Sequence, residues 1–189
     1  MPTVGRLAEE DIPGALRISL KELGADYLDG SDFRETLGSE DSFCMVARDG
    51  DGAVIGFSIC HVFGPDELDE RLRLPDGPER RLLESKRLIG LFDSVSVDDR
   101  HKGRGVGTML FERCTDTFAE KGVEALVAMG WEDRSGHCNI GRMLVTMGMT
   151  PSYAIKGYWN QFVDSPEGHM CPTCGRPCTC SGRLFYKVL

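Results

Sequence analysis

The first third of the chain has apolar positions at spacings typical of one strand and two helices. A short apolar run at residues 3–7 predicts a strand. Apolar residues then recur every three or four positions behind an acidic opening that contains Pro13. This spacing predicts an amphipathic helix, which Gly24 is expected to end. A second short helix is expected around residues 32–37. The apolar positions of the first helix are Ile12, Leu16, Leu20 and Leu23.

Two apolar runs in the next segment predict a β-hairpin. They span residues 43–48 and 53–62, and residues 49–52 between them read Asp-Gly-Asp-Gly. Asp-Gly between two apolar runs is a strong hairpin signal, because glycine accepts the positive φ that a tight turn needs. The charged segment 64–87 is expected to form either a short helix with loops or a mobile excursion.

The second half of the chain alternates predicted strands and helices. A polar, glycine-rich stretch at 98–107 leads into a helix that Gly122 is expected to stop. The element order β, α, α, β, β, β, α, β, α, β, β predicts a single α/β domain over residues 1–189, built around a mixed sheet. The remaining predicted strands span residues 87–97, 123–129, 152–163 and 184–189, and a further helix spans 138–147.

Composition and charge argue against two classes of partner. The 189 residues are 41% hydrophobic and 28% charged, and no apolar run approaches the ~20 residues of a membrane span. The net charge is -8 without a basic stripe, so we expect neither nucleic acid nor a membrane as partner. An acidic chain attracts cationic acceptors such as amines. The N-terminal residues lack the basic and apolar regions of a secretory signal, so we expect a cytoplasmic protein.

The stretch before the helix that ends near Gly122 has the chemistry of an anion site. Residues 102–107 read Lys-Gly-Arg-Gly-Val-Gly, and glycines let the backbone approach a ligand closely. The free N–H groups and dipole of a helix start attract an anion, and Lys102 and Arg104 add positive charge. A pyrophosphate is the natural occupant, and a plain turn is the alternative. Neither the nucleoside-triphosphate loop nor the dinucleotide fingerprint is present.

Cysteine spacing separates the eight cysteines into two groups. Four lie singly in apolar or helical surroundings and are expected to be small buried hydrophobes. The others follow the pattern C-x2-C-x3-C-x-C within residues 169–182, here called the cysteine knuckle, and four thiolates suit a structural, tetrahedral zinc ion. Iron–sulfur binding, disulfides and unbound thiols are the alternatives, and His169 is a spare ligand. The predicted metal ligands are Cys171, Cys174, Cys178 and Cys180.

A family resemblance rests on four segments of the chain. The stretch V-x-V-x-x-x-x-K-G-R-G-V-G-x-x-L, which begins at Val95, resembles the acetyl-CoA-binding motif of the GCN5-related N-acetyltransferases, with Lys102 at the usual Arg or Gln position. Residues 6–20, 139–149 and 182–189 resemble the first strand and helix, the late helix and turn, and the final strand of that family. The resemblance implies a mixed, mostly antiparallel central sheet flanked by helices, with the cysteine knuckle between the last two strands.

The resemblance also implies roles for the glycine-rich motif. Acetyl-CoA would be the co-substrate, with its pantetheine arm along Val95, Ser96 and Val97. The backbone N–H of Val97 would polarise the thioester carbonyl, the role of an oxyanion hole. The pyrophosphate would lie against Lys102, Gly103, Arg104, Gly105, Val106, Gly107 and Thr108.

The first candidate for the proton acceptor is Asp93. An amine with a pKa of about 10.4 must lose a proton before it attacks the thioester, whereas a thiol with a pKa of about 8.5 leaves readily as thiolate. Strand alternation predicts that residues 93, 95 and 97 share one face. The alternative is an Asp that pairs with a nearby Arg or caps a loop. Glu132 and Asp133 are interpreted as loop residues and His137 as a helix cap, although acceptor binding and proton relay are their functional alternatives.

Two positions depart from the family pattern. The tyrosine that many members use as general acid corresponds to Leu144, and the family's Asn corresponds to His137, with Asn139 close by. Tyr153 and Tyr158 are substitutes for that acid, or packing residues.

These observations favour transfer of an acetyl group from acetyl-CoA to an amine, which is a small amine, an amino acid or a protein amine. The alternatives are a non-catalytic acyl-CoA sensor and a zinc-knuckle module for protein interaction. A homodimer is one assembly that we leave open. We further hypothesise that the metal stiffens the cysteine knuckle and shapes the acceptor site.

Overall fold

A seven-stranded mixed sheet forms the centre of the molecule. The computed structural model describes residues 1–25 and 27–189. The strand order is β1-β2-β3-β4-β5-β7-β6. Described neighbours pair antiparallel except β4 and β5, which are parallel. The strands are β1 (Thr3–Arg6), β2 (Ser42–Arg48), β3 (Val54–Phe63), β4 (Ile89–Val97), β5 (Ala125–Glu132), β6 (Thr150–Lys156) and β7 (Ser181–Val188).

Helices cover both faces of this sheet, so the central strands are buried on both sides. On one face, α5 packs over Phe43 and Met45 of β2. On the other face, α1 packs over Cys44 and Val46 of the same strand, because successive side chains point in opposite directions. The helices are α1 (Ile12–Glu22), α2 (Gly30–Glu35), α3 (Leu68–Arg71), α4 (Pro78–Glu84), α5 (Val106–Glu120) and α6 (Gly141–Thr146).

The predicted α/β architecture and order of elements are confirmed. The charged segment 64–87 forms short helices joined by loops, which was the first of its two expected forms. Its α3 and α4 bury Leu68, Leu72 and Leu83 in a second cluster on the α1 side of the sheet. The 49–52 turn closes the predicted hairpin, with the N–H of Asp49 donating to the carbonyl of Ala53 at 2.9 Å.

Two predicted elements are shorter in the structure, and one expected apolar position of α1 is exposed. The strand predicted over 152–163 ends at Lys156, because Gly157 adopts a φ of 67° and starts a 3-10 helix, Tyr158–Phe162. The helix predicted over 138–147 shortens to α6. Leu20 is 52% exposed, because Ala15 and Ile18 form the buried face of α1 instead.

Among the described residues, every helix is too short or too polar to cross a lipid bilayer.

Candidate active site

Strands β4 and β5 separate halfway along their length and leave a cleft between them. Their pairing runs from Ile89 with Ala125 to Phe92 with Ala128. Beyond that point β4 continues beside β3 as far as Val97, and β5 continues beside β7 as far as Glu132. A cleft of about 600 Å³ occupies the space where the two strands diverge.

A β-bulge at Asp93 marks the point of divergence. In the β3–β4 ladder Ile59 pairs with Ser94 and Cys60 with Phe92, so Asp93 is the extra residue. The bulge interrupts the predicted alternation. Val95 and Val97 pack toward the α5-side core, whereas Asp93 lies near Tyr27 and Tyr158 on the other side. All three β4 residues, 93, 95 and 97, nevertheless line the cleft.

The Asp93 carboxylate is half-buried among hydroxyl groups. It accepts a hydrogen bond from Ser94 Oγ at 2.9 Å. Burial, and then the charge of Asp93, raise the pKa of both Tyr27 and Tyr158. The Asp93 side chain thus lies at the cleft as the candidate proton acceptor, and none of the described ion pairs joins it to an arginine.

The glycine-rich loop and the start of α5 form one half of the cleft. Gly103 and Gly105 have φ values of 72° and 81°, in the left-handed region that favours glycine. Gly105 directly precedes α5, whose first turn contains no acidic residue. Arg104 is exposed and lies outside the cleft lining. The predicted donor-site residues that line the cleft are Val95, Ser96, Val97, Lys102, Gly103, Gly105, Val106, Gly107 and Thr108.

Lys102 is held by two carboxylates. Its ammonium pairs with Glu22 of α1 and with Asp99 at 2.6 Å. Burial by itself would lower the pKa of Lys102. The hydrogen bonds to the carboxylates of Asp99 and Glu22 outweigh burial, so the pKa of Lys102 is raised. The sequence did not single out Glu22, because 80 residues separate it from Lys102 along the chain.

Aromatic side chains form the other half of the cleft. Tyr27, Trp131 and Trp159 line it, from the α1–α2 loop, from β5 and from the 3-10 helix. His169 and Pro172 of the cysteine knuckle complete this half. The sequence did not single out the three aromatic residues, because nothing local distinguishes them from core residues.

The cysteine knuckle brings its four sulfur atoms together in the loop between β6 and β7, as predicted. All four Sγ atoms lie within 4.8 Å of one another. Cys171, Cys178 and Cys180 are buried, and Cys174 is partly exposed. The distance from Cys180 Sγ is 4.0 Å to Cys171 Sγ and 3.5 Å to Cys174 Sγ, and Cys174 and Cys178 are 3.8 Å apart.

The secondary candidates have structural partners. Glu132 pairs with Arg183 across β5 and β7. Asp133 accepts hydrogen bonds from the N–H groups of Ser135 and His137 and so closes a turn. The His137 ring bonds with the Asn139 side chain at 3.0 Å.

The positions considered for a general acid supply no hydroxyl group to the cleft lining. Leu144, at the position of the family's tyrosine, is buried in the α5-side core. Tyr158 donates its hydroxyl to the carbonyl of Leu72 at 2.9 Å. Tyr153 is partly buried against the second hydrophobic cluster, the one that contains Leu68 and Leu83, and does not line the cleft.

Comparison with known proteins identifies the family of this sequence and fold. Residues 12–137 match the acetyltransferase (GNAT) family. No curated protein sequence matches the chain.

Solved acetyltransferase structures share the fold at low sequence identity. Arabidopsis thaliana NAA60 with a bisubstrate analogue superposes with a TM-score of 0.73 at 12% identity, over 100% of this chain and 99% of that one. The same protein with acetyl-CoA gives 0.71 at 10% identity, over 100% and 99%. Drosophila melanogaster polyamine N-acetyltransferase gives 0.65 at 14% identity, over 100% of both chains.

Proposed function

This chain belongs to the acetyltransferase (GNAT) family, and from that premise we propose that it transfers an acetyl group from acetyl-CoA to an amine. One observation carries the proposal. The cleft between β4 and β5 has a glycine-rich helix start at one end, and aromatic rings with a carboxylate at the other. The first end suits a pyrophosphate and the second a cationic amine.

The donor half fits an extended acyl-CoA. Past Phe92, β4 has a strand partner only on its β3 side within the described residues, so its other edge can pair with the pantetheine amides. The N–H groups at the start of α5 would bind the pyrophosphate, and the positive φ of Gly105 directs the backbone there. Arg104 contributes charge from the exposed surface.

The backbone N–H of Val97 is aimed at the cleft. The N–H of Asp98 donates to the carbonyl of Ile55 on β3 at 2.9 Å. Successive N–H groups of a strand point in opposite directions, so that of Val97 points away from β3. This N–H would stabilise the oxyanion of the tetrahedral intermediate.

Asp93 accepts the amine proton in the proposed reaction, directly or through one water. The freed nitrogen lone pair attacks the thioester carbonyl carbon, and the carbonyl oxygen becomes an oxyanion. When the oxyanion collapses, the C–S bond breaks and CoA leaves as thiolate, which a thiol pKa of about 8.5 permits without a strong general acid. The nitrogen of the intermediate, cationic after its attack, loses its second proton through water to this thiolate, so the products are the neutral amide and CoA thiol. The buried Leu144 at the family's tyrosine position is compatible with this route.

The acceptor half favours a positively charged amine. Asp93 supplies a negative charge, and the faces of Tyr27, Trp131 and Trp159 attract cations. The net charge of -8 acts in the same direction at longer range. Acceptors of this class are small amines, amino acids and protein amines.

We also propose that the cysteine knuckle binds one structural zinc ion. A tetrahedral site with Zn–S bonds of about 2.3 Å has sulfur atoms about 3.8 Å apart. Three Sγ–Sγ distances of the knuckle, 3.5, 3.8 and 4.0 Å, agree with this spacing, and all four sulfur atoms lie within 4.8 Å of one another. The thiolates of a [4Fe–4S] cluster bind four different iron atoms, and those of a [2Fe–2S] cluster divide between two. Both clusters therefore need wider spacing of the four sulfur atoms, and a single ion fits better. Four cysteine ligands leave no open coordination position, so the ion has no catalytic role.

Replacing Asp93 tests the catalytic proposal. We expect Asp93→Asn to lower kcat by about 10²–10⁴-fold, because the amine loses its proton acceptor. Acetyl-CoA affinity measured by calorimetry should be unchanged. The charge-matched control is Asp116→Asn, which removes an exposed carboxylate from α5 and should retain wild-type kcat.

Two outcomes would contradict the proposal. Wild-type protein that binds acetyl-CoA and acetylates no member of a panel of amines would favour the sensor alternative. Wild-type protein that does not bind acetyl-CoA would overturn the donor site as well.

A further inference from the structure

The cysteine knuckle packs directly against the loop between α1 and α2. A Cβ built on Gly24 would lie 2.5 Å from the carbonyl oxygen of Met170 and 3.6 Å from Pro172 Cδ. Only a glycine permits this approach, and the φ of Gly24 is 108°. The two loops therefore meet at the acceptor end of the cleft, which His169 and Pro172 also line.

An aromatic chain crosses the contact between these loops. The rings of Tyr27 and His169 meet edge to face, with centroids 5.4 Å apart. Tyr27 meets Trp159 in the same manner at 6.0 Å. Edge-to-face pairs at these distances are favourable, so the position of the knuckle is linked to the position of both rings.

Asn160 ties the knuckle to the element that carries Trp159. Its Oδ1 accepts hydrogen bonds from the backbone N–H groups of His169 at 3.0 Å and Cys178 at 2.9 Å. Its Nδ2 donates to the carbonyl of Cys178 at 2.8 Å. Asn160 directly follows the cleft-lining Trp159 in the chain. Its side chain thus connects that tryptophan to Cys178, a predicted metal ligand, and to His169, which lines the cleft.

The knuckle has little regular secondary structure to hold its shape. Residues 163–180 contain no helix or strand, and their one backbone bridge joins Cys171 and Gly175. Loops of this length without secondary structure need another constraint, and a metal ion can supply it. Cys171, Cys178 and Cys180 also lie in the core cluster against which Trp131 packs.

We propose that the metal-bound cysteine knuckle is a wall of the acceptor site, and that Asn160 is the positioning residue that transmits its shape to Trp159 and His169. The inference rests on the proposed acetyl transfer and zinc site. Metal binding sets the affinity for the amine and leaves acetyl-CoA binding unchanged, because the donor half is built from β4 and α5. A stiff wall also limits which amines fit, so the knuckle is a determinant of acceptor specificity.

The two tryptophans provide a readout that does not depend on activity. The chain has only Trp131 and Trp159, and both line the acceptor half of the cleft. Tryptophan emission, excited at a wavelength that tyrosine does not absorb, therefore reports on the acceptor half of the cleft alone. The test uses the full chain with zinc bound and measures four quantities: zinc content, tryptophan emission with acrylamide quenching, acetyl-CoA affinity, and the kcat and KM of the amine.

Cys174→Ser removes the most exposed ligand. We expect zinc to fall from about one ion per chain by at least about fivefold. Tryptophan emission should shift to the red with stronger quenching. The KM of the amine should rise at least about tenfold while acetyl-CoA affinity stays within about threefold. The control is Cys44→Ala, a buried cysteine of β2 on the α1 face, which should retain zinc, emission and KM.

Asn160 variants test the coupling with the metal in place. Asn160→Ala should retain zinc and reproduce the fluorescence change and the raised KM. Asn160→Asp keeps the oxygen that accepts both N–H groups and should restore part of the wild-type KM.

Three outcomes would overturn the inference. They are a folded wild type without zinc, a zinc-free Cys174→Ser with wild-type emission and KM, and an Asn160→Ala with wild-type emission and KM. The third decides the question if Cys174→Ser does not fold. Failure of acetyl transfer alone is distinguishable, because it leaves the link between zinc and tryptophan emission intact.

Discussion

At the scale of single residues, two glycines with the same backbone conformation have different consequences. Gly105 precedes α5 with a φ of 81°, and Gly52 lies in the β2–β3 turn with a φ of 86°. A Cβ at either position would meet no atom within 4 Å. Both substitutions therefore carry the cost of left-handed backbone, about 1–2 kcal/mol, without a steric clash.

The two glycines form a matched pair for testing the donor site. Gly105→Glu and Gly52→Glu should lower the free energy of unfolding by similar amounts in denaturant titrations. Only Gly105→Glu should weaken acetyl-CoA binding, by at least about tenfold, because its carboxylate would repel the pyrophosphate. Equal acetyl-CoA affinity in the two variants would place the pyrophosphate elsewhere.

At the scale of elements, the turn between β4 and α5 is built from side-chain to backbone hydrogen bonds. Asp98 accepts a hydrogen bond from the N–H of Arg100 at 3.0 Å, and the guanidinium of the same arginine donates to both carboxylate oxygens at 3.1 Å. The Arg100 guanidinium, followed by its backbone N–H, lowers the pKa of Asp98 to about 2 despite burial. The turn that presents the glycine-rich loop therefore depends on an ionised carboxylate.

This dependence predicts a pH window for stability. A carboxyl group whose pKa is lower in the folded state stabilises the fold above its unfolded value, about 3.9, and loses that contribution as pH falls toward about 2. The difference in melting temperature between wild type and Asp98→Asn should be constant above pH 5 and shrink between pH 4 and 2. A difference that does not change over this interval would show that the charge of Asp98 is immaterial.

At the scale of the whole molecule, the cleft exists because β4 and β5 stop pairing with each other, while β4 remains paired with β3 and β5 with β7. The β1–β4 half is covered by α1 and α5, and the β5–β7–β6 half carries the cysteine knuckle. Acetyl-CoA would span the gap between these halves and bind only the folded chain. Its binding energy therefore adds to the stability of the fold.

Acetyl-CoA should raise the melting temperature in proportion to its affinity. At 100 times its Kd it adds about 2.7 kcal/mol, which for a chain of this size corresponds to roughly 5–10 °C. Gly105→Glu should show little shift at the same concentration in a thermal unfolding assay. A shift of equal size in that variant would contradict binding at the glycine-rich loop.

Features that depend on neighbouring residues could be predicted from the sequence. The 49–52 hairpin follows from Asp-Gly chemistry, the start of α5 from Gly105, and the grouping of four thiols from cysteines spaced within one loop. The order of strands and helices follows from periodicity, because the spacing of apolar residues reflects the local backbone repeat.

Only the tertiary structure decided where these elements meet. The bulge at Asp93 reverses the expected facing of β4, because it arises from the pairing with β3 rather than from residues near Asp93. The aromatic half of the cleft brings together Tyr27, Trp131 and Trp159 from three distant segments of the chain. The sequence by itself therefore determined the local chemistry of the donor loop and the knuckle. The proposed acceptor half came from long-range packing, where side chains far apart in the chain fill the same space.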